Sequence, residues 1–297
     1  MKQYLVIDVG GTAIKYALMD EATNILDKGD IPTPHESIEA FIETIGTLYD
    51  QYQSKISGIA FSAPGRIDAN TGYMYTGGAI RYIRETPMAE LLTQRCPTKI
   101  TLENDGKCAA LAELWKGSLK DVDHGVVLTI GTGIGGGIIV DKKLLRGHNF
   151  AAGELSGLPT NIDYHDHKFN FWAEINSTGS LTRAFADIRG FDPQQTTGKD
   201  FFTAIDHQDE DAWAILNEFC VTFANGLFAI QTVLDTQRVA IGGGISAQPA
   251  LIETIQAKVD ELFDRMPYMP QRKMEIVRCA FANDSNLIGA LYHHLYE

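Results

Sequence analysis

The chain has 297 residues, 44% hydrophobic and 21% charged, which is typical of a globular protein long enough to form two domains. Its formal net charge of −13 argues against a nucleic-acid-binding surface, which needs a basic face, but allows a nucleotide held through Mg²⁺ and backbone dipoles. With no signal-like start, no long apolar run and four cysteines that form no CxxC pair, the sequence predicts a cytoplasmic protein with reduced thiols and no membrane partner.

The first predicted element is a β-hairpin with strands at residues 4–9 and 14–19, joined by a glycine turn. Glycine lets backbone amides approach phosphate oxygens because no Cβ blocks them, so we expect the amides of Gly10–Thr12 to bind phosphate. Asp8 ends the first strand and would repel phosphate unless it held Mg²⁺, directly or through water. The alternative role for Asp8 is capping the turn.

A helix over about 36–52 follows, and then the strand ISGIAFSAPG, which ends in a turn at Pro64–Gly65. KITLEND predicts a further strand, with a helix leaving it, so the order of elements predicts α/β layering. Asn104 and Asp105 stand where this strand meets the helix. Asp105 can cap the helix there or, ionised beside the helix N-terminus, accept a hydroxyl proton.

About 120 residues after the first hairpin, VVLTIGTGIGGGIIVD repeats its design. Two such turns predict two half-domains that hold one polyphosphate between them. The GxGxxG string beginning at Gly131 is not a dinucleotide fingerprint, because a strand rather than a helix follows, and no P-loop signature occurs. Hairpins without a ligand remain an alternative, although they need fewer glycines than the five found here.

Two isolated acids come next, Glu154 in AAGELSG and Glu174 in FWAEINSTGS. They either lie on a solvated surface or accept hydrogen bonds from sugar hydroxyls. The run His165-Asp166-His167 has no third ligand in sight, which favours a polar loop over a metal site. A mainly helical stretch follows it.

Three elements complete the chain. RVAIGGGIS predicts a strand running into a third glycine turn, and Pro249 opens a helix that extends to about residue 264. A last helix is expected to be capped by Asn283 or Asp284.

Taken together, these motifs resemble the ROK family (repressors, open reading frames and sugar kinases) of the actin-like ATPase superfamily over essentially the whole chain. DVGGTAIK resembles the family's first phosphate motif, LTIGTGIGGGII its second and IGGGIS its adenosine-side turn. END resembles the catalytic segment, while AGELSG and AEINSTGSL resemble the segments whose glutamates bind sugar. The resemblance implies an ATP- and Mg²⁺-dependent sugar kinase.

The implied fold is α/β, with two actin-like (ribonuclease H-like) domains around a central cleft. Residues 1–118 would form the first, with the C-terminal helix at 283–297 packed back on it, and residues 119–282 the second. The implied catalytic base is Asp105, and the implied sugar ligands are Gly78, Asn104, Asp105, Glu154 and Glu174. The implied ATP-binding residues are Asp8 (also the Mg²⁺ residue, through water or phosphate), Gly10, Gly11, Thr12, Lys15, Gly131, Thr132, Gly133, Gly135, Gly242, Gly243 and Gly244.

The sequence departs from the family pattern in two places. Gly157 replaces the usual His, and LPTNIDYHDHKFNFW stands where the zinc-binding cysteines normally lie, so no zinc is expected. No helix-turn-helix precedes the kinase body, which argues against a repressor.

This zinc-less pattern, with TGGAIR and APGRID, most resembles the β-glucoside kinases, which phosphorylate the 6-hydroxyl of the non-reducing glucose of cellobiose. Gly157 would leave room for an aglycone. Glucokinase and N-acetylmannosamine kinase remain alternatives. A non-catalytic sugar sensor and an actin-like ATPase without sugar specificity are less favoured. The oligomeric state is open, with a homodimer as one option.

Overall fold

The computed structural model describes the backbone of residues 1–163 and 168–297 and the side chains of residues 1–160 and 170–297. The described strands are β1 (Gln3–Val9), β2 (Ala13–Asp20), β3 (Ile25–Pro32), β4 (Ile56–Ala63), β5 (Ile67–Asp68), β6 (Tyr73–Thr76), β7 (Arg84–Thr86), β8 (Ile100–Asn104), β9 (Gly125–Ile130), β10 (Ile134–Val140), β11 (Lys143–Leu144), β12 (Pro159–Asp163), β13 (Lys168–Phe171), β14 (Arg238–Gly242) and β15 (Glu275–Arg278). The helices are α1 (Ile38–Tyr52), α2 (Met88–Arg95), α3 (Asp105–Lys116), α4 (Trp172–Ile175), α5 (Thr178–Arg189), α6 (Gly198–Asp206), α7 (Glu210–Leu234), α8 (Pro249–Asp264) and α9 (Ser285–Tyr296), with 3₁₀ turns at Leu155–Gly157 and Gly244–Ala247.

The chain forms two compact units. Unit 1 comprises Met1–Gly117, Leu144–Gly153 and Asn283–Glu297, and unit 2 comprises Ser118–Lys143 and Glu154–Ala282. Residues 144–153, which the sequence analysis places in the second domain, thus pack with unit 1. The C-terminal helix α9 packs against α3 and β4, also within unit 1.

Unit 1 is built on a five-stranded sheet in the order β3-β2-β1-β4-β8. The first three strands form an antiparallel meander, whereas β4 and β8 join in parallel. Aliphatic side chains of β1 and β4, such as Ile7 and Ile59, are fully buried against Phe41 and Ile45 of α1. A smaller three-stranded sheet, β5-β6-β7, lies between β4 and α2 in the chain.

Unit 2 repeats this plan with the order β11-β10-β9-β14-β15. The hairpin β9–β10 is antiparallel, and β14 pairs in parallel with β9 and β15. The 25-residue helix α7 is long and apolar enough to cross a membrane by length and composition, but half of its most apolar window is buried. Its side chains Phe219, Phe223 and Leu227 lie in the unit 2 core, so α7 is a core helix of this unit.

Most predicted elements are confirmed, with small shifts at their ends. Helix α1 begins after Ser37, whose hydroxyl accepts from the Ala40 amide at 3.2 Å, and Pro249 opens α8. The predicted capping of α9 is wrong in one respect: Asp284 occupies the N-cap position, but its side chain makes no capping bond.

The strand β3 was not predicted, and neither were the sheet β5-β6-β7 and the hairpin β12–β13. β3 is an edge strand with mostly exposed, charged residues, so it carries no apolar alternation from which it can be recognised.

Candidate active site

In unit 1, polar side chains gather at the carboxyl ends of three adjacent parallel strands. In the sheet register Asp8 of β1 lies opposite Ser62 of β4, and Ala63 lies opposite Asn104 of β8. Ligands of open α/β sheets bind at this edge, outside the carboxyl ends of the strands. The sheet topology therefore brings the predicted Mg²⁺ residue Asp8 and the predicted sugar residue Asn104 to one side of unit 1.

The Asp8 carboxylate is held by two side chains from distant parts of the sequence. Its Oδ1 accepts from the Ser62 hydroxyl at 2.8 Å and from the Asn286 amide at 3.0 Å. Burial raises the pKa of Asp8, although these two hydrogen bonds and the charge of Lys15 lower it. Both bonds run to β4 and α9 rather than to the glycine turn, so they argue against turn capping by Asp8.

Lys15 lies opposite Asp8 in the β1–β2 hairpin. Its exposed side chain lines a surface pocket of about 500 Å³ together with Lys28 and Asp30. The pocket also reaches the start of α9, which places Lys15 and the α9 N-terminus on the same face of unit 1.

The first glycine turn is tighter than the sequence suggests. The Gly10 amide donates to the Ala13 carbonyl at 3.0 Å and so closes the turn. This differs from the prediction that the Gly10 amide binds a phosphate. The amides of Gly11 and Thr12 are therefore the anion-binding candidates at this turn. A Cβ on Gly11 would lie 3.2 Å from Cβ of Ala79, which places the turn against the loop that carries Gly78.

Asn104, and not Asp105, caps helix α3. Asn104 Oδ1 accepts from the Lys107 amide at 3.1 Å, while its Nδ2 donates to the Gly65 carbonyl and to Asp105 Oδ1, both at 3.0 Å. Asp105 Oδ1 also accepts from the Gly106 amide at 2.8 Å. A carboxylate with two donors at a helix N-terminus is stabilised in its charged form and is fixed in orientation.

Gly78 joins this pair through the turn at Pro64–Gly65. Gly65 has φ of +97°, and a Cβ there would lie 2.1 Å from the Thr76 carbonyl oxygen, so only glycine allows the two segments to touch. The Gly65 carbonyl accepts from Asn104, and Gly78 lies against Pro64. Of the predicted sugar ligands, the structure thus brings Gly78, Asn104 and Asp105 together in unit 1.

An ion-pair network next to the strand end that carries Asn104 was not predicted. Glu103 has a side chain only 1% exposed; its Oε1 accepts from the Asn104 amide at 2.8 Å and its Oε2 from Arg146 Nε at 2.7 Å. Arg146 also pairs with Glu297, which lies 3.2 Å from His293 Nδ1. Glu103, His293 and Glu297 are close enough to hold a metal ion, but the Arg146 guanidinium pairs with both carboxylates and makes this group an ion-pair network.

In unit 2 the second glycine turn rests on a helix N-terminus. The Gly131 amide donates to the Gly133 carbonyl at 2.9 Å, and the Gly131 carbonyl accepts from the Thr178 amide of α5 at 2.9 Å. Gly131, like Gly10, uses its own amide inside the turn, which leaves the exposed Thr132 at the tip with Gly133. Gly135 lies within β10 opposite Thr129, as the second residue of the strand that follows the turn.

The third glycine turn is pressed against the end of β9. Gly242 pairs with Thr129 across the sheet. Gly243 has φ of +93°, and a Cβ there would lie 2.1 Å from the Ile130 carbonyl oxygen. A Cβ on Gly244 would meet nothing within 4 Å, so the turn has an open side next to this residue.

The two predicted sugar-binding glutamates lie on packed segments of unit 2. Glu154 is exposed and precedes the 3₁₀ turn, which packs against α4; the Trp172 amide of α4 donates to the Leu158 carbonyl at 2.9 Å. Glu174 Oε2 accepts from the Phe171 amide at 3.0 Å, so it also caps α4. A Cβ on Gly157 would meet nothing within 4 Å. The His165-Asp166-His167 run lies outside the described residues.

Comparison with known proteins agrees with this geometry. The profile of the ROK family matches residues 4–295. A beta-glucoside kinase of Listeria innocua is 32% identical over 295 residues, covering 98% of this chain and 96% of that protein.

Two solved structures share the fold over nearly their full length. A ROK family protein from Streptococcus pneumoniae, solved in complex with sucrose, has a TM-score of 0.87 at 30% identity and covers 99% of this chain and 98% of its own. A putative N-acetylmannosamine kinase from Listeria monocytogenes has a TM-score of 0.85 at 29% identity, with the same coverage. The predicted actin-like α/β fold is confirmed by these likenesses.

Proposed function

Because this chain belongs to the ROK family and is an ATP-dependent sugar kinase, we propose that it phosphorylates the 6-hydroxyl of a hexose unit and prefers β-glucosides such as cellobiose. The observation that carries the site is the bonded group of Asn104, Asp105 and the Gly65 turn beside Gly78. The β-glucoside preference is supported by the beta-glucoside kinases among its relatives and by the open space at Gly157.

In the proposed reaction the sugar 6-hydroxyl oxygen attacks the γ-phosphorus of ATP, and the bond from that phosphorus to the β-phosphate oxygen breaks in line. The hydroxyl proton passes to Asp105, and ADP leaves. Asn104 and the N-terminus of α3 orient the Asp105 carboxylate, which removes the need to order it during the reaction. Glu154 and Glu174 would accept hydrogen bonds from other sugar hydroxyls.

For the nucleotide, we propose that amides of Gly11, Thr12 and Gly133 contact phosphate and that adenine lies beside Gly242–Gly244. Asp8 fits a role in holding Mg²⁺, because it is a half-buried carboxylate whose two side-chain bonds, among the described residues, both end on Oδ1. Mg²⁺ takes oxygen ligands and keeps several waters, so one carboxylate oxygen suffices. When bound, the cation would neutralise charge on the phosphate oxygens.

The base assignment is tested with Asp105→Asn, which keeps the shape of the side chain and removes its basicity. We expect kcat to fall on the order of 10²–10⁴-fold with a much smaller change in sugar affinity. Asp187→Asn on the exposed face of α5 is a matched control and should leave turnover unchanged. Near-normal turnover of Asp105→Asn would refute the assignment.

The substrate is tested by coupled ADP release with cellobiose, glucose and N-acetylmannosamine. We expect cellobiose to be used at least as efficiently as glucose. Glucokinase activity is the first alternative, and N-acetylmannosamine kinase activity is favoured by the name of one solved relative. Turnover of N-acetylmannosamine without cellobiose would overturn the β-glucoside preference. No sugar-dependent ADP release at all would leave a sugar sensor or an ATPase without sugar specificity.

Other parts of the proposal concern metals and partners. We propose that the protein holds no structural zinc, because the cysteine ligands of the family are missing from its sequence. Metal analysis after dialysis should find less than about one-tenth equivalent of zinc per chain. We further propose a cytoplasmic enzyme that acts on small molecules without a nucleic-acid or membrane partner; a homodimer remains one option for its oligomeric state.

A further inference from the structure

A layered cluster of side chains in unit 1 takes no part in the reaction described above. The Arg66 guanidinium lies over the Tyr75 ring, with Cζ 4.1 Å from the ring centroid. Tyr75 stacks with Phe150 at 6.4 Å and 24° between ring planes, and Tyr73 meets Tyr75 edge-on at 5.1 Å. All four side chains are half-buried, so the cluster remains accessible from solvent.

Arg66 is held differently from the arginines that this acidic chain pairs with carboxylates. Each of four arginines is paired with two carboxylates; these are Arg95, Arg146, Arg189 and Arg238. Within the described part of the chain, Arg66 makes no side-chain hydrogen bond or ion pair and lies instead on an aromatic face. The guanidinium is therefore held in position by the ring, and its five N–H donors make no hydrogen bond within the described part of the chain.

The cluster is directly connected to the predicted sugar residues. Arg66 follows Gly65, whose carbonyl accepts from Asn104. The Tyr75 amide donates to the Arg66 carbonyl at 2.9 Å, and the Arg66 amide donates to Thr76 Oγ1 at 3.0 Å. Thr76 then leads into Gly77 and Gly78 of the sugar loop, so the cluster and this loop are continuous in space as well as in sequence.

Phe150 completes the cluster from a second segment. It has φ of +58° in a turn closed by the bond from the Ala152 amide to the Arg146 carbonyl at 3.0 Å. Arg146 is itself anchored on buried Glu103, which holds the Asn104 amide. The position of the Phe150 ring is thus tied to the same strand end that carries the catalytic segment.

We propose that Arg66, Tyr75 and Phe150 form the subsite for the second sugar of a β-glucoside, beyond the glucose that receives the phosphate. A pyranose ring presents an apolar C–H face, which packs on aromatic rings, and hydroxyl oxygens at its edge, which accept from guanidinium N–H groups. The half-buried cluster combines both kinds of group, with the Arg66 guanidinium on the Tyr75 ring and the Phe150 ring stacked with Tyr75. This inference rests on the proposed preference for β-glucosides and names the residues that would create it.

The test compares kcat/KM for cellobiose with kcat/KM for glucose in Arg66→Met and Phe150→Ala. Met keeps an apolar side chain over Tyr75 but removes the donors, and Ala removes one ring. Glucose carries no second sugar, so we expect the cellobiose-to-glucose ratio to fall about 10–100-fold in Arg66→Met, the effect of a lost charged hydrogen bond. Arg84→Met, on the exposed edge strand β7 of the same small sheet, is the matched control and should leave the ratio unchanged.

Glucose turnover reports whether each variant is folded. An unchanged ratio in both Arg66→Met and Phe150→Ala, with wild-type enzyme active on cellobiose, would overturn the subsite and leave the proposed function standing. Equal losses for both sugars would assign the cluster a purely structural role and would also overturn it. A wild-type enzyme that phosphorylates glucose but no β-glucoside would instead show that the proposed substrate class is wrong, and the subsite with it.

Discussion

Removing the Arg146 guanidinium should destabilise the protein more than any surface substitution, because it leaves a buried charge without its partner. The Glu103 side chain is 1% exposed, and its Oε2 accepts from Arg146 Nε at 2.7 Å. In Arg146→Met the carboxylate would keep the Asn104 amide as a donor but lose its countercharge. Breaking a buried ion pair from one side typically costs about 3–5 kcal/mol. Arg146 is 22% exposed, so water can reach part of the site, and we expect a value near the lower end, about 3 kcal/mol.

The assay is urea unfolding at pH 7 of wild type, Arg146→Met, Glu103→Gln and the double variant. Gln at position 103 is uncharged and keeps an oxygen for the Asn104 amide, so the double variant should be more stable than the sum of the single losses indicates, by about 1–2 kcal/mol. Arg84→Met, whose side chain is exposed, should change the free energy of unfolding by less than about 0.5 kcal/mol. A loss below about 1 kcal/mol in Arg146→Met, or strictly additive losses in the double variant, would refute the reasoning.

Two further outcomes are expected from unfolding measurements. Burial, helped by the charges of Lys99 and His293, lowers the pKa of His294 to about 4, so the folded state disfavours the charged ring. The free energy of unfolding should therefore keep the full contribution of neutral His294 above about pH 6.5 and should fall by up to about 3 kcal/mol as the pH is lowered toward 4. His294→Gln should flatten this part of the plot of unfolding free energy against pH. Gly243→Ala should cost about 1–3 kcal/mol or more, because of its φ of +93° and the Ile130 carbonyl 2.1 Å from the new methyl, whereas Gly244→Ala should be nearly neutral; equal melting temperatures for the two would contradict this.

The sequence was sufficient for elements that carry a strong local signal. The hairpin β1–β2 has aliphatic strands and a glycine turn, and α1 has apolar residues at helical spacing after a capping Ser37. The order of such elements, together with the family motifs, predicted the fold class. The exposed edge strand β3 was missed because its residues lie in a sheet without being buried, so no periodic pattern marks it.

Parts of the candidate site were beyond sequence reasoning because they depend on contacts between distant residues. Asp8 is held by Ser62 and Asn286, which are 54 and 278 positions away in the chain. Glu103 and Arg146 are 43 positions apart, and no sequence motif indicates that these two residues contact each other. In the same way, a glycine-rich string shows that backbone amides can approach a ligand, but not which amide the turn itself uses.

The repeated architecture indicates how the work is divided between the two units. Both hairpin turns close on their first glycine: Gly10 donates to Ala13, and Gly131 donates to Gly133. The strand ends that follow then differ.

In unit 1 the carboxyl ends of β1, β4 and β8 carry Asp8, Ser62 and Asn104, which are acidic, hydroxyl and amide groups. In unit 2 the end of β9 carries only the hydroxyl of Thr129, opposite Gly242 of β14, and then runs into Gly131, so these strand ends offer backbone and a hydroxyl but no carboxylate. Side-chain oxygens bind cations and accept protons, whereas glycine backbone lets phosphate or a flat base approach closely. From this difference between two units of the same architecture, we infer that unit 1 supplies the chemistry of phosphoryl transfer and that unit 2 supplies most of the nucleotide contacts. Substitutions at the strand ends of unit 1 should therefore lower kcat, whereas substitutions at the strand ends of unit 2 should raise the KM for ATP.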